Sequence, residues 1–358
     1  MTVAAQLETK SSPSWKAWTE LSLDRFRAPY WVVAVALGLV VLSEQIMERL
    51  LVSSVDELFQ PRVLAVRSAL PVLTIYMLLA LKTLKTSALP QLAQIRPSVK
   101  ITDAEFDGFV RRMLYTSWQA EVTLLASSLL VVLTWFVVIR QSFPLMPGVF
   151  LPANAARAAL AVIAYTIFGW AGLSLVYSSL RFGRGLAALA DQPLIVNVFD
   201  PGGLLGFGRL SLRHSLTVAV TILLFIIPLG RPTEVYEYAV IFLASMASLT
   251  ALVLPLWGVH RDMAKAREDA AARISRELAD CQARLMNSPE LDLPTLTTLS
   301  ERTEKLVGLR SLIYKTPTWP FRDVFAVFRV LLAAMSPLLI FALQEVIRTY
   351  VLPFFGIS

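Results

Sequence analysis

The chain has 358 residues, 56% hydrophobic and only 16% charged, against about 45–50% and about 25% in a soluble domain, so too few polar groups remain to solvate a globular surface. Its 33 Lys and Arg exceed its 26 Asp and Glu, but the basic residues stand beside apolar runs rather than in one patch. That placement argues against nucleic acid as a partner and for the lipid bilayer, with anionic lipid headgroups as contacts. Cys281 is the sole cysteine and the histidines are His214 and His260, which excludes an intrachain disulfide and an ordinary structural zinc site; no cofactor or metal is expected.

Residues 1–29 form a polar segment of mixed charge, without the basic-then-apolar order of a cleavable signal peptide. Trp15, Trp18, Leu21 and Phe26 follow the Ser12-Pro13 start signal near one helical face. They fit a short helix lying on the membrane, or a disordered tail with scattered aromatics.

Residues 30–258 carry six apolar stretches, and a seventh falls within 316–358. A bilayer core of about 30 Å takes about 20 helical residues at about 1.5 Å each. The seven run from Tyr30 to Val52, Ser68 to Leu84, Trp118 to Ile139, Ala155 to Tyr177, Leu212 to Leu229, Tyr236 to Trp257 and Val324 to Leu343. Counting Lys and Arg in alternate polar segments puts 25 on one side and seven on the other, with Arg329 alone inside a span. Basic residues are kept cytoplasmic, so the N-terminus is expected inside and the C-terminus outside. The expected fold is an all-α polytopic membrane bundle of about seven spans.

Glu44, Glu48, Asp56 and Glu57, at and beyond the outer end of the first span, fit an amphipathic helix capping the bundle better than an acidic vestibule for cations. Thr102-Asp103-Ala104-Glu105 is a capping-box pattern, and Phe106, Phe109, Val110, Met113 and Leu114 after it predict a surface helix leading into the third span. Pro193 to Leu212 reads as an apolar loop. Its Gly202, Gly203, Gly206 and Gly208 match neither a dinucleotide fingerprint nor a Walker A loop, so a flexible turn is the expectation, with Arg209 and Arg213 as candidate lipid or anion contacts.

The sixth span is expected to continue as one helix from Tyr236 to Met286, about 75 Å long. Pairs such as Lys265 with Asp269 and Arg273 with Glu277 have the spacing for salt bridges along it. Asn287-Ser288-Pro289 stops it, and a second helix returns through Leu299, Leu306 and Ile313. These face a stripe of Ile274, Leu278, Cys281 and Leu285, which predicts a cytoplasmic antiparallel hairpin of coiled-coil type over 259–315. Trp319, in Thr316-Pro317-Thr318-Trp319-Pro320-Phe321, then anchors the interface.

Arg329, about six residues inside its span, needs a partner unless it snorkels, and Glu121 lies in the same cytoplasmic half of the bilayer; the pair either fixes helix packing or lines an ion path. His260 with Asp262 makes no catalytic constellation, since no positioned base and orienting group accompany them. The expected function is therefore that of a non-enzymatic scaffold or assembly component acting through the hairpin, as a homo-oligomer or with a membrane or cytoplasmic protein partner. An ion channel or small-solute permeation protein is the alternative, and a membrane sensor signalling to a separate partner a third. The overall pattern is similar to that of prokaryotic multi-pass membrane proteins, so the expected location is a prokaryotic plasma membrane.

Overall fold

A computed structural model describes residues 29–52, 61–142, 152–199, 201–226, 235–287, 293–321 and, singly, 325, 328, 331, 332, 335 and 339. The described chain is helical between short connections, with one isolated antiparallel bridge joining Val99 to Leu194. The helices are α1 (Tyr30–Val52), α2 (Pro61–Ile95), α3 (Asp103–Leu114), α4 (Trp118–Ser142), α5 (Pro152–Ala190), α6 (Leu205–Ile226), α7 (Val235–Val253), α8 (Trp257–Asn287) and α9 (Leu293–Lys315). Four helical runs are long and apolar enough to cross a membrane: Tyr30–Met47, Ser68–Ser98, Asp103–Phe136 and Ala158–Ala190. The third contains α3 and most of α4, and its apolar part is α4. The N-terminal segment, Arg329 and the outer acidic positions Asp56 and Glu57 lie outside the described residues, as do 227–234 and most of the last apolar stretch.

The helices pack around α2 and α5. α5 touches α4, α2 and α1; α2 touches α1 and α6; α6 touches α7. Close approach is bought with small residues, as in lipid, where apolar side chains gain little by leaving the tails. Ser128 of α4 donates to the Thr166 carbonyl of α5 at 2.9 Å, and Gly169 gives it room. In α6 and α7 the Ser211 hydroxyl reaches the Leu252 carbonyl at 2.6 Å and the Ser215 hydroxyl the Ser248 carbonyl at 2.8 Å. Elsewhere α4 is bare: Leu125, Leu129, Leu130, Val131, Leu133 and Trp135 are all exposed. In water that surface would cost about 25 cal/mol per Å², and in hydrocarbon it costs nothing.

Two apolar clusters hold the bundle. Ala34, Leu73, Met77, Leu78, Ala171 and Leu175 fill the space among α1, α2 and α5. The other forms where α2 and α5 run on beyond the stretches expected to span, to Ile95 and Ala190. There Leu92 and Ile95, Phe106 and Val110 of α3, Leu186 and Leu189, Phe207 of α6, and Val259 of α8 bury together. Helix α3 starts at the capping box: Thr102 accepts from the Glu105 N–H, and Glu105 accepts from the Thr102 N–H.

Three expectations are corrected. The helix anticipated from Tyr236 to Met286 is divided, because Leu254–Leu256 forms a 3₁₀ turn between α7 and α8. Pro255 has no N–H to donate and its ring crowds the carbonyl four residues back. Gly258 then brings α8 against the end of α5, where an added Cβ would lie 3.1 Å from the Ala190 carbonyl oxygen.

The anticipated flexible glycine loop is also a packed element. Pro201–Leu204 is a 3₁₀ turn and α6 already begins at Leu205. A Cβ on Gly206 would lie 2.6 Å from Ile95, and one on Gly208 would collide with the Pro320 carbonyl oxygen. Each helical glycine costs about 1 kcal/mol relative to alanine, and here that cost is offset by contact no larger residue permits. Finally, Glu277 does not pair along its own helix with Arg273; it meets Arg302 of α9 at 3.5 Å. Both groups are exposed, so the bridge contributes little.

Candidate functional site

Charge, aromatic rings and buried hydroxyls converge where α1, α2, α4 and α5 meet the end of α3. Lys82 and Lys85 stand one turn apart where the apolar run of α2 ends. Spacing of three residues places them on one side of the helix. The Lys82 ammonium lies 5.8 Å from the Tyr30 ring centroid and that of Lys85 3.9 Å from the Tyr115 ring centroid. Such cation–π contacts help to hold an ammonium in place.

Glu121 sits in the first turn of α4, where the helix dipole favours a carboxylate. From α5, Trp170, Ser174 and Ser178 repeat every four residues along the wall of a cleft of about 90 Å³ that also exposes Tyr30, Lys82, Lys85 and Glu121. Ser174 is buried, and its hydroxyl has no hydrogen-bond partner among the described residues. Arg181 of α5 donates to the carbonyls of Arg112 and, at 2.8 Å, of Tyr115. It thereby satisfies carbonyls at the C-terminal end of α3 and fixes that helix as one edge of the site.

The sequence marks Glu121 but misses its neighbours. Lys82 and Lys85 enter the charge count only as topology signals, and Trp170, Ser174 and Ser178 are ordinary residues of an apolar span. The available signal was the four-residue spacing of those three on the helix that also carries Arg181. Arg329, the proposed partner of Glu121, lies outside the described residues.

Arg209 and Arg213 are exposed on α6, and Arg209 donates to the Gln94 side chain at 3.3 Å. The nearby glycines do not form a phosphate cradle with them, being taken up in helix packing. Along α8 and α9, Cys281, Leu306 and Ile313 are buried while Ile274, Leu278, Leu285 and Leu299 are half-buried. The two helices pack on each other. His260 sits at the root of α8, with Nδ1 3.0 Å from the Thr318 carbonyl oxygen.

Among the described residues no group of His, Cys, Asp and Glu is arranged to hold a metal ion. The arrangement around Glu121 suits binding of an anion beside apolar surface, because it offers cations, hydroxyls and rings. These features define an all-helical protein with membrane-spanning potential in four helices. No known family, curated protein or solved structure matches the chain.

Proposed function

We propose that the chain is a non-enzymatic, multi-pass membrane scaffold of seven spans, with its N-terminus cytoplasmic, that assembles through α8 and α9. In this reading α8 and α9 form an antiparallel cytoplasmic hairpin. Its carrying observation is the shared foundation of hairpin and bundle: Val259 and Met263 at the start of α8 belong to the same buried cluster as Leu92 of α2 and Leu186 of α5. A rigid root of this kind transmits position between membrane and cytoplasm, whereas a tethered hairpin would not.

Two further features support the reading. Ala271, Ile274, Leu278, Cys281 and Leu285 alternate three and four residues apart, the seam spacing of paired helices. Leu296, Val307 and Tyr314 are exposed on α9, at separations close to whole helical turns. They supply an apolar stripe beside the covered one for a second copy or a protein partner.

Deleting residues 261–312 from the reconstituted protein tests the reading. Loss of self-association with membrane insertion intact is the expected result; unchanged assembly would sink it. The permeation alternative rests on Glu121 and Arg329, and Arg329→Ala would then alter ion flux through liposomes. The apolar filling among α1, α2 and α5 favours the scaffold.

A further inference from the structure

We infer that the cleft between α1, α2, α4 and α5 is a binding site for the phosphate headgroup of an anionic phospholipid. The inference stands apart from the hairpin's role. Its geometry comes from Lys82 and Lys85, held over Tyr30 and Tyr115, and from Ser174, whose hydroxyl is buried without a partner in the cleft wall. Among the described lining residues, two ammonium groups stand beside one carboxylate, Glu121, which makes that lining cationic. A phosphate diester offers the complement: negative charge for the lysines and acceptor oxygens for the serine hydroxyls.

The surroundings identify a lipid rather than a water-soluble phosphate. Leu81, Leu84, Leu124 and Phe182 line the same cleft, and a soluble anion gains nothing from that surface. Trp118 stands exposed at the head of α4, and Tyr30 and Trp170 face the cleft. Aromatic residues of this kind gather at the headgroup level of a bilayer, and basic pockets between spans on the cytoplasmic face take anionic headgroups. The bare apolar surface of α4 continues from the cleft and offers the acyl chains a place to lie.

The test uses full-length protein in phosphatidylcholine vesicles carrying a trace of spin-labelled phosphatidylglycerol or spin-labelled phosphatidylcholine. The readout is the motionally restricted fraction of each label. The wild type is expected to prefer phosphatidylglycerol, and Lys82→Gln with Lys85→Gln to lower that preference by at least about five-fold, the factor contributed by a single lysine near the surface. Lys82→Arg with Lys85→Arg, which keeps the charge, should retain it. Equal restriction of both labels by the wild type overturns the proposal, as does an undiminished preference in a glutamine variant of native helix content. Displacement of the lipid label by millimolar glycerol phosphate would identify a soluble phosphate as the ligand and overturn it too.

Discussion

His260 and Trp319 stack face to face, with ring centroids 4.2 Å apart and planes 16° from parallel. The same imidazole reaches the Thr318 carbonyl through Nδ1, and Trp319 in turn lies parallel to Phe321 at 6.2 Å. The segment after α9 is thereby fastened to the first turn of α8. Among the described residues, Val259 and Met263 are the residues of α8 in the buried cluster, so the stack sits beside the root of the hairpin.

Removing that stack should loosen the hairpin without unfolding the bundle. Trp319→Ala gives up a half-buried indole and its ring contacts, a loss of about 2 kcal/mol, while Trp319→Phe keeps most of the stacking. Trypsin digestion in detergent checks this. Cleavage within 261–315 should be several-fold faster in the alanine variant and near wild type in the phenylalanine one.

Two glycines should respond to alanine in opposite directions. On Gly208 a Cβ meets the backbone of Pro320, which cannot swing aside; overpacking of this kind costs about 1–3 kcal/mol. On Gly308, in the middle of α9, a Cβ meets nothing within 4 Å, so alanine should stabilise the helix by about 1 kcal/mol. Thermal unfolding followed by circular dichroism should show Gly208→Ala melting lower than wild type and Gly308→Ala higher.

That contrast also marks what the sequence makes legible. Four of the apolar runs and the capping box at Thr102 can be read directly, because each is a local pattern in the sequence. The role of Gly206 and Gly208 cannot, since it depends on Ile95 and Pro320, both more than a hundred residues away. For the same reason Ser174 looks like any serine in a span until α2 brings Lys82 and Lys85 to the same cleft. Pro255 interrupts the helix expected from Tyr236 to Met286, at a point where the end of α5 packs against Gly258.

The orientation proposed from the Lys and Arg count makes a labelling prediction. Cys281 is buried and should react slowly from either side, so it is a poor reporter. Met286, at 86% exposure, is a better position. In a Cys281→Ala background, Met286→Cys should resist an impermeant maleimide in intact cells and label fully after permeabilisation. Ready labelling of intact cells would place α8 outside and reverse the topology.

The seam between α6 and α7 tests whether hydroxyls or close approach hold these helices together. Ser215 and Ser248 each donate to the other's carbonyl, at 2.8 and 3.2 Å, and Ser245 is buried beside them. Hydrogen bonds between membrane helices average only about 0.6 kcal/mol, because the separated helices satisfy their hydroxyls locally. Ser215→Ala should therefore cost little, on the order of 0.5 kcal/mol, since it preserves the small contact surface. Ser215→Leu keeps the span apolar but inserts a side chain where the backbones meet, and should cost about 1–3 kcal/mol. Unfolding in a graded detergent mixture separates the two variants. A large loss in both would assign the seam to its hydrogen bonds, and a loss confined to leucine would assign it to the close packing that small residues permit.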